Sequence, residues 1–448
     1  MKKSIIVVGI SVVVITLLLS CFPGNAKAED WGKIDWQQFK GTKLNVLATA
    51  MPVSEVYKKR IEKFEALTGI KVNFELLNDV DRRKKQIVDF SSGMGEYDLG
   101  NIGFSNREEF AQPGYLEPLQ KYLDDPKLTD KAWYNFADYP KDVIASGYSS
   151  DNLVFIPFTA EYFLFWYRKD VFSNLGLSVP KNFEELRATA EKLDEARKAG
   201  KIPEYAWAER QMPGASESGW NLFCTANRFK FDFIDFGKMI SYVNTPKGRE
   251  VLDYYTSMVK KYAPPGSGNW TWGEIAVAFK TEKAAMTTGG NASYAYLEDP
   301  KESKVAGRVG YAPPPMAEGG KDPLWVWGWG MNKSSKNKGA AWLFMQWATS
   351  PTLMKEIAPE YGCPARQSSY ADPAYVKAMP SQEFIDAQLY MMTKGVNPYP
   401  QLIHAKYGEG ADIVSKEMSN VIAGIKDVKQ AAEDADKALT KLGYKPAQ

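Results

Sequence analysis

The sequence predicts an α/β protein with two hydrophobic cores. Its 448 residues, 44% of them hydrophobic, exceed the length at which one compact core is usual. In the first third of the chain, strand-like and helix-like segments alternate, which is typical of a parallel sheet with crossover helices. Ligands of such sheets bind at the loops that follow the carboxyl ends of the strands. We therefore expect the functional loops to follow these first strands.

The first segments carry this alternation. GTKLNVLATA is a short apolar strand that ends in a loop, and PVSEVYKKRIEKFEALTG has apolar residues at helical spacing with Gly69 as a stop. IKVNFELL alternates like a strand, Asp79–Phe90 is predicted to be helical, and YDLGNIGF is another strand followed by a loop. The strand ends predict binding loops at Ala50–Val53 and Phe104–Asn106.

The rest of the chain is dominated by charged amphipathic helices. They are predicted at Asn182–Ala199 and Pro246–Tyr262, and the loops between them are rich in aromatic residues, glycine and proline. The segment DPLWVWGWGMNKSSKNKGAAWLFMQWATSP predicts a strand followed by the helix Lys338–Thr349. The C-terminal region is predicted to be largely helical, ending with the run Asp427–Leu442.

The N-terminus predicts export. Two lysines precede an apolar run at residues 5–19, which is short for a membrane span, and Ala26 and Ala28 of the segment AKA are the small residues that signal peptidase needs. We expect a signal peptide at 1–28, cleaved after Ala28, and a soluble periplasmic protein. The alternative is a lipobox that ends at Cys21, whose acylation would anchor the protein to a membrane.

Charge and cysteine content narrow the function. Without residues 1–28 the chain keeps 53 basic and 54 acidic residues, so no net field attracts nucleic acid. Cys224 and Cys363 are an even pair in an oxidising compartment, which allows a disulfide, and two separate buried thiols are the alternative. His404 is the only histidine, so a cluster of histidine metal ligands is excluded and a histidine-based triad has little support. We predict no metal and no cofactor.

Five blocks of sequence occur in a characteristic order. They are RIEKFEALTGIKVNFE, YDLGNIGFSNREEFAQPGYLEPLQKYL, IPFTAEYFLFWYRKDVFSNLGLSVPKNFEEL, AFKTEKAAMTTGGNASYAYLEDP and GWGMNKSSKNKGAAWLFMQWATSP. Together they resemble the extracellular solute-binding proteins of ABC importers, of the carbohydrate class that includes maltose-binding protein. ERQMPG and LEDPKESKVAGRVGYAPPP look most like the subgroup that handles sugars and sugar alcohols.

The resemblance implies a two-lobed periplasmic-binding-protein fold, in which each lobe has a central sheet flanked by helices and the ligand cleft lies at the hinge. Because each lobe is discontinuous in this family, we place the N-lobe at 30–158 and 325–352, and the C-lobe at 159–324 and 353–448. The implied function is that of a monomeric substrate-binding subunit. It would capture a sugar or sugar alcohol and deliver it to the membrane permease, with no enzymatic activity.

Polar site residues follow from this resemblance and from residue chemistry. Glu161 matches a glutamate of the family, and a carboxylate among aromatic residues needs either ligand hydroxyls or a basic partner. Ser105 and Asn106 match positions that meet hydroxyls, to which an asparagine amide can both donate and accept. Because the maltose-binding pattern has charged groups there, maltose itself is in doubt. Arg210 would fork onto adjacent hydroxyls or pair with Glu209.

Aromatic residues and a glycine-rich loop complete the predicted cleft. Trp220, Trp270 and Trp272 are expected on loops, where one or two of them would stack on a sugar ring. Asn291 lies in GGNAS, where the loop of the family approaches the ligand and glycine allows close contact. Arg366 is expected to brace a loop.

The stretch WVWGWG is predicted to lie partly in the core and partly in the cleft wall. Alternation puts its three indoles on one face of a strand. We expect Trp325 to pack in the core, Gly328 to let the backbone approach the ligand, and Trp327 and Trp329 to wall the pocket.

An exported glycoside hydrolase is the alternative class. Such an enzyme needs two carboxylates that face one bond across a cleft. Glu161 with Glu209 or Asp299 are the candidates, although no motif sets up that geometry.

Overall fold

The computed structural model describes residues 30–397, 404 and 406–447. The predicted signal peptide and the alternative anchor Cys21 lie outside these residues. Within the described ranges, no helix combines the length and the apolar character that crossing a bilayer requires.

The strands are short in most of the molecule and longest in two sheets. In chain order they are β1 (Lys43–Thr49), β2 (Lys71–Leu77), β3 (Leu99–Gly103), β4 (Tyr148–Ser149), β5 (Asn152–Leu153), β6 (Phe155–Glu161), β7 (Phe163–Arg168), β8 (Tyr205–Trp207), β9 (Ile234–Asp235), β10 (Ile240–Ser241), β11 (Ala284–Gly290), β12 (Val309–Ala312), β13 (Asp322–Pro323), β14 (Trp325–Met331), β15 (Val396–Asn397) and β16 (Lys445–Pro446).

Helices alternate with these strands and dominate the C-terminal part. They are α1 (Pro52–Lys58), α2 (Ile61–Thr68), α3 (Asp79–Ser92), α4 (Arg107–Ala111), α5 (Gln120–Asp124), α6 (Lys131–Tyr134), α7 (Lys141–Ala145), α8 (Lys169–Leu175), α9 (Phe183–Lys198), α10 (Trp220–Arg228), α11 (Pro246–Tyr262), α12 (Trp272–Lys280), α13 (Tyr294–Leu297), α14 (Lys338–Ala348), α15 (Pro351–Tyr361), α16 (Pro373–Ala378), α17 (Gln382–Tyr390), α18 (Tyr407–Ile422) and α19 (Val428–Lys441).

The first sheet has the order β2-β1-β3-β14-β6. As the sequence predicts, β1 pairs in parallel with β2 and β3. The late strand β14 lies between β3 and β6 and runs antiparallel to both. The first sheet is therefore completed by a segment more than 150 residues downstream of β6.

The second sheet has the order β12-β7-β11-β8 and draws on the middle of the chain. β7 runs antiparallel to β11 and β12, and β11 runs parallel to β8. A separate group of helices, α10, α11, α18 and α19, buries its own apolar cluster and is called here the helix cluster. The chain passes from the first sheet to the second directly after Glu161, and it returns to the first sheet at Trp325.

Local sequence signals fix several helix ends. Asn182 caps α9 by accepting from the Glu185 amide, and Asp427 caps α19 in the same way. The predicted helices at 182–199, 246–262, 338–349 and 427–442 are confirmed within one residue at either end. The single helix predicted before Gly69 is instead two, because Arg60 leaves helical geometry, donates to the Val56 carbonyl and pairs with Glu356.

Helix α15 contradicts the predicted lobe boundary at residue 352. We predicted 353–448 in the C-lobe, whereas α15 packs against α1 of the first sheet's flank. The Tyr57 hydroxyl lies 3.6 Å from the Met354 sulfur, and the Arg60 Nε lies 2.9 Å from Glu356 Oε1. Buried Met354 and Ile357 belong to the same apolar cluster as Tyr57 and Trp329, and this packing holds α15 in place.

Candidate ligand-binding site

The candidate site lies where the chain changes sheets. β6 ends at Glu161, β14 begins at Trp325, and these two residues are cross-strand partners. Opposite residues of an antiparallel pair place their side chains close together. The junction therefore combines a carboxyl group with an indole.

The Glu161 carboxyl is held in an unfavourable environment. It is flanked in sequence by buried Ala160 and Tyr162, and burial raises its pKa to about 7. Among the described residues it has neither a hydrogen-bond donor nor an ion-pair partner. The basic partner that we weighed for it is thus not found there, and the carboxyl group is available to accept from a ligand.

The predicted polar pair stands at the end of β3. Ser105 and Asn106 form a 3₁₀ turn with Phe104, and the Ser105 Oγ donates to Asn106 Oδ1 at 2.9 Å. Both side chains are half-buried. Gly103, just before this turn, lies opposite Trp327, and a Cβ on Gly103 would come within 3.1 Å of the indole. The missing side chain lets Trp327 lie against the strand beside the turn.

A buried arginine at the same edge of the sheet was missed from the sequence. Arg82 is fully buried, and its guanidinium carbon lies 5.9 Å from the centre of the Trp327 ring. It donates to Asp79 Oδ1 at 2.6 Å and to Thr49 Oγ1 at 3.1 Å. The sequence signal for Arg82 was the position of its partners: Thr49 ends β1, and Asp79 begins α3 just after β2, so both lie at the carboxyl ends of parallel strands.

Three indoles meet at the junction. The Trp325 ring lies 5.1 Å from the Trp220 ring in an edge-to-face arrangement and 6.2 Å from the Trp327 ring. All three side chains are half-buried. Trp220 belongs to the helix cluster, so the indoles come from both sides of the junction. The prediction that Trp325 packs in the core is wrong, because its half-buried ring meets Trp220 and Trp327 at the junction.

Trp329 is a core residue, which contradicts its predicted place in the cleft wall. Its side chain is fully buried, and four aromatic rings surround it at centroid distances of 5.1–5.9 Å. These rings belong to Tyr57, Phe74, Phe158 and Phe344. Trp329 lies deeper along β14 than Trp327, where α1 and α14 cover the sheet.

Gly328 serves packing rather than ligand approach. A Cβ on Gly328 would lie 2.1 Å from the Phe155 ring and 2.7 Å from the Ile156 carbonyl oxygen. The strand also shifts register between Trp327 and Gly328. Glycine is needed here because β6 occupies the space that a side chain would fill, and this corrects the predicted role.

The Asn291 side chain braces neighbouring segments of the fold, which leaves it no group for the predicted ligand contact. Its Nδ2 donates to Gln388 Oε1 at 2.8 Å and to the Ala160 carbonyl at 3.4 Å. Its Oδ1 accepts from the Tyr162 and Ala292 amides at 3.3 and 3.1 Å. A primary amide has two donors and two acceptor positions, so these bonds use its whole capacity.

Arg210 lies beside the site on the C-terminal side. Its guanidinium carbon lies 5.7 Å from the centre of the Phe163 ring, and its Nη1 lies 3.9 Å from Glu217 Oε2. The Glu209 carboxylate, which we weighed as its ion-pair partner, accepts from the backbone amide of Arg210 and from the Asn221 side chain.

The two remaining tryptophans differ from each other. Trp270 packs against Ala208, Ile275 and Ala284, so its ring belongs to a small core. Trp272 is 52% exposed and begins α12, which Thr271 caps together with Glu274. Trp220 likewise begins α10. The prediction that Trp220 and Trp272 lie on loops is wrong, because Thr271 caps α12 directly before Trp272 and a helical turn at Ala215–Gly219 leads into α10 at Trp220.

The cysteines are separate buried thiols in the structure. Cys224 lies on α10 near the Arg228–Asp322 pair, whereas Cys363 follows α15 and is close to Glu161. The disulfide alternative is therefore not what the structure contains. Cys363 belongs to the large apolar cluster that also contains Tyr57, Trp166 and Trp329. Burial raises the pKa of both thiols well above the usual value.

The candidate carboxylates of a hydrolase do not form a catalytic pair. Glu209 is buried and already accepts two hydrogen bonds, and Asp299 accepts from the Lys301 amide at the start of a turn.

Arg366 is fully buried, lies between the Tyr134 and Tyr139 rings, and donates to the carbonyl of Thr349. It braces a loop, as predicted.

Comparison with known proteins decides the family. The model of the bacterial extracellular solute-binding protein family matches residues 51–355. The chain belongs to this family. It is a binding protein that acts outside the cytoplasm and not an enzyme, so the hydrolase alternative is wrong, and the resemblance seen in the sequence is confirmed.

Relatives and solved structures agree with this assignment. The chain is 26% identical over 382 residues to the erythritol/L-threitol-binding protein of Mycolicibacterium smegmatis, covering 81% of this chain and 80% of that protein. It is similar to an ABC transporter solute-binding protein of Agrobacterium radiobacter solved with ribitol, with TM-score 0.74, 25% identity and coverage of 90% and 99%. A protein of Agrobacterium vitis solved with D-mannitol gives TM-score 0.72, 26% identity and coverage of 90% and 98%. The two-lobed α/β fold predicted from the sequence is confirmed.

Proposed function

We propose that this protein is the substrate-binding subunit of an ABC importer, and that it captures a sugar or sugar alcohol at the junction of its two sheets and delivers it to the membrane permease. The observation that carries the proposal is the Glu161 carboxyl group, which lacks a partner in the described part of the chain and stands beside the three indoles. A desolvated carboxyl group gains most from strong hydrogen-bond donors, and adjacent hydroxyls supply them.

The proposed contacts come from both sides of the cleft. Ser105 and Asn106 offer donors and acceptors from the loop after β3, and Glu161 accepts at the floor. Trp220, Trp325 and Trp327 cover the apolar faces of the carbon chain, and Arg210 reaches from the opposite side. Trp272, exposed at the start of α12, would meet only a longer ligand. Compared with the residues predicted from the sequence, this set of proposed contacts adds Trp325 and leaves out Trp329 and Gly328.

Small polyols are the proposed ligand class. Support comes from the erythritol/L-threitol-binding relative and from the two similar proteins solved with ribitol and D-mannitol. A neutral polyol also suits a site that combines one carboxyl group with aromatic walls. We propose further that the mature protein is a periplasmic monomer released by cleavage after Ala28, with an N-lobe that includes α15.

A binding panel tests the proposal. Ribitol, D-mannitol, erythritol, maltose and a neutral amino acid are titrated by calorimetry, and each is incubated with the protein and recovered. We expect at least one polyol to bind with a dissociation constant on the order of micromolar and to be recovered unchanged. Replacing Glu161 with Ala should weaken this binding roughly 10- to 150-fold. Binding of the amino acid or maltose alone would contradict the polyol assignment.

A further inference from the structure

A closed ring of buried hydrogen bonds surrounds the backbone that carries Glu161. The Ala160 carbonyl accepts from Asn291, and Asn291 donates to Gln388. Gln388 Nε2 donates to the Tyr375 hydroxyl at 2.9 Å, and this hydroxyl donates to the Gly362 carbonyl at 2.8 Å. The carbonyl of the next residue, Cys363, accepts from the Ala160 amide at 3.1 Å and closes the circuit. We call this set the hinge ring.

Asn291 also holds the other side of Glu161. Its backbone amide donates to the Tyr162 carbonyl at 3.0 Å, and its side-chain oxygen accepts from the Tyr162 amide at 3.3 Å. The residues before and after Glu161 are thus both fixed by one asparagine. Glu161 itself takes no part in these bonds, so its backbone is held while its carboxyl group stays available.

The hinge ring is polar but dry. Asn291 is 1% exposed, and Gln388 and Tyr375 are fully buried. Buried amide and hydroxyl groups are retained only when their hydrogen bonds are satisfied, and satisfied networks make a single arrangement rigid. The ring joins three separate segments: the end of β6, the loop after β11, and the chain from the end of α15 through α17.

We infer that Asn291 is the positioning residue that fixes the Glu161 carboxyl group in the cleft, and that Gln388 and Tyr375 anchor it. This inference rests on the proposed function only for its effect on ligand affinity. Without the ring, the segment at 160–162 relaxes and the half-buried carboxyl group becomes more fully hydrated. The titratable group on the neighbouring segment is the Cys363 thiol, whose pKa is raised well above its usual value by burial and, to a smaller extent, by Glu161, so it is neutral.

The test needs no ligand. The protein is labelled with glutamate carrying ¹³C at the side-chain carboxyl, and the Glu161 signal is identified by its loss in Glu161→Gln. The pH midpoint of this signal is then measured. We expect a midpoint of about 7 in the wild type and a fall toward the ordinary value of 4.5 in Asn291→Ala. Tyr375→Phe, which removes only a hydroxyl, should shift the midpoint in the same direction by less.

Asn332→Ala is the matched control. Asn332 is equally buried, and its side chain donates to Asp89 and Tyr97 and accepts from the Ser334 amide, far from the hinge ring in the fold. It should lower the melting temperature and leave the Glu161 midpoint at its wild-type value. An unchanged midpoint in both Asn291→Ala and Tyr375→Phe, or an equal shift in Asn332→Ala, would overturn the inference.

Affinity provides the second measurement. With D-mannitol as the probe, Asn291→Ala should bind roughly tenfold more weakly than the wild type, and Asn332→Ala should bind equally well. If no polyol binds the wild type, the proposed function fails, and the carboxyl titration still decides whether the hinge ring positions Glu161.

Discussion

The ring of Trp220 meets the ring of Trp325 edge-on at 5.1 Å, although the first residue begins a helix of the helix cluster and the second begins a strand of the first sheet. This contact spans the junction between the two parts of the protein. Any change in their relative position must separate these rings or press them together, so fluorescence of the two indoles should report ligand binding.

Replacing Trp325 should mainly affect ligand binding, whereas replacing Trp329 should mainly affect the stability of the fold. Trp325→Ala should weaken polyol binding roughly tenfold with a small loss of stability, since its half-buried ring faces the junction. Trp329→Ala should lower the free energy of unfolding by about 3–5 kcal/mol, because it leaves a cavity among four aromatic rings. Calorimetric titration and urea unfolding measure the two effects. The reverse pattern would place Trp329 in the site.

Glu161 should make the stability of the ligand-free protein depend on pH. Its pKa in the folded protein is raised to about 7 from 4.5, so the folded state holds a proton that the unfolded state has lost between these values. Stability is therefore full below about 4.5 and decreases as the pH rises to 7, by at most about 3 kcal/mol. Urea unfolding of the wild type and of Glu161→Gln across this range measures it. Parallel curves would refute the raised pKa.

Ligand binding should release a proton in the same range. Hydroxyl donors favour the ionised carboxylate, so a bound polyol lowers the pKa of Glu161. Calorimetry below pH 7 in two buffers with different ionisation enthalpies should give different apparent heats for the wild type. Glu250→Gln, which changes an exposed carboxylate on α11 that pairs with Lys247, should keep the difference, and Glu161→Gln should remove it.

The buried pair of Arg228 and Asp322 should be essential for stability and unimportant for binding. Its two hydrogen bonds measure 2.9 and 3.0 Å, and both side chains are nearly or fully inaccessible. Asp322→Asn should destabilise the fold by about 3–5 kcal/mol, because it leaves a buried guanidinium without its counter-charge. Glu250→Ala, which breaks the exposed pair with Lys247, should change stability by less than about 1 kcal/mol. Equal effects in urea unfolding would contradict this account.

Both thiols should be free and protected in the exported protein. Cys224 and Cys363 are 1% and 3% exposed, and burial raises the pKa of each. We expect an aromatic disulfide reagent to react with neither in the native protein and with both in urea. Peptide mapping that finds Cys224 linked to Cys363 would show that oxidation rearranges the fold.

The sequence predicts local secondary structure better than it predicts how deeply a side chain is buried. The ends of α11 follow from its pattern and from its Thr245 cap, both of which are local. Alternation correctly places tryptophans on β14, but it assigns no depth to them. Trp329 is buried because Tyr57 and Phe344, far away in sequence, converge on it. No local pattern carries that information.

Asn291 illustrates the same limit in the candidate site. Its loop lies beside the segment that carries Glu161, yet the contacts of its side chain depend on Gln388, almost a hundred residues later. Glu161 could be found because the resemblance and the cost of a buried carboxylate point to the same residue. Arg82 was missed because nothing in its own segment shows that Thr49 and Trp327 lie beside it.

The position of β14 in the first sheet sets the order in which the newly exported chain folds. Since β14 lies between β3 and β6, those two strands have no contact along the sheet until residues 325–331 have emerged. The rings of Tyr57, Phe74 and Phe158 likewise lack their shared packing partner until Trp329 is in place. Pairing across so long a stretch of chain is slow. The first sheet can therefore be completed only after the chain as far as β14 is available to fold.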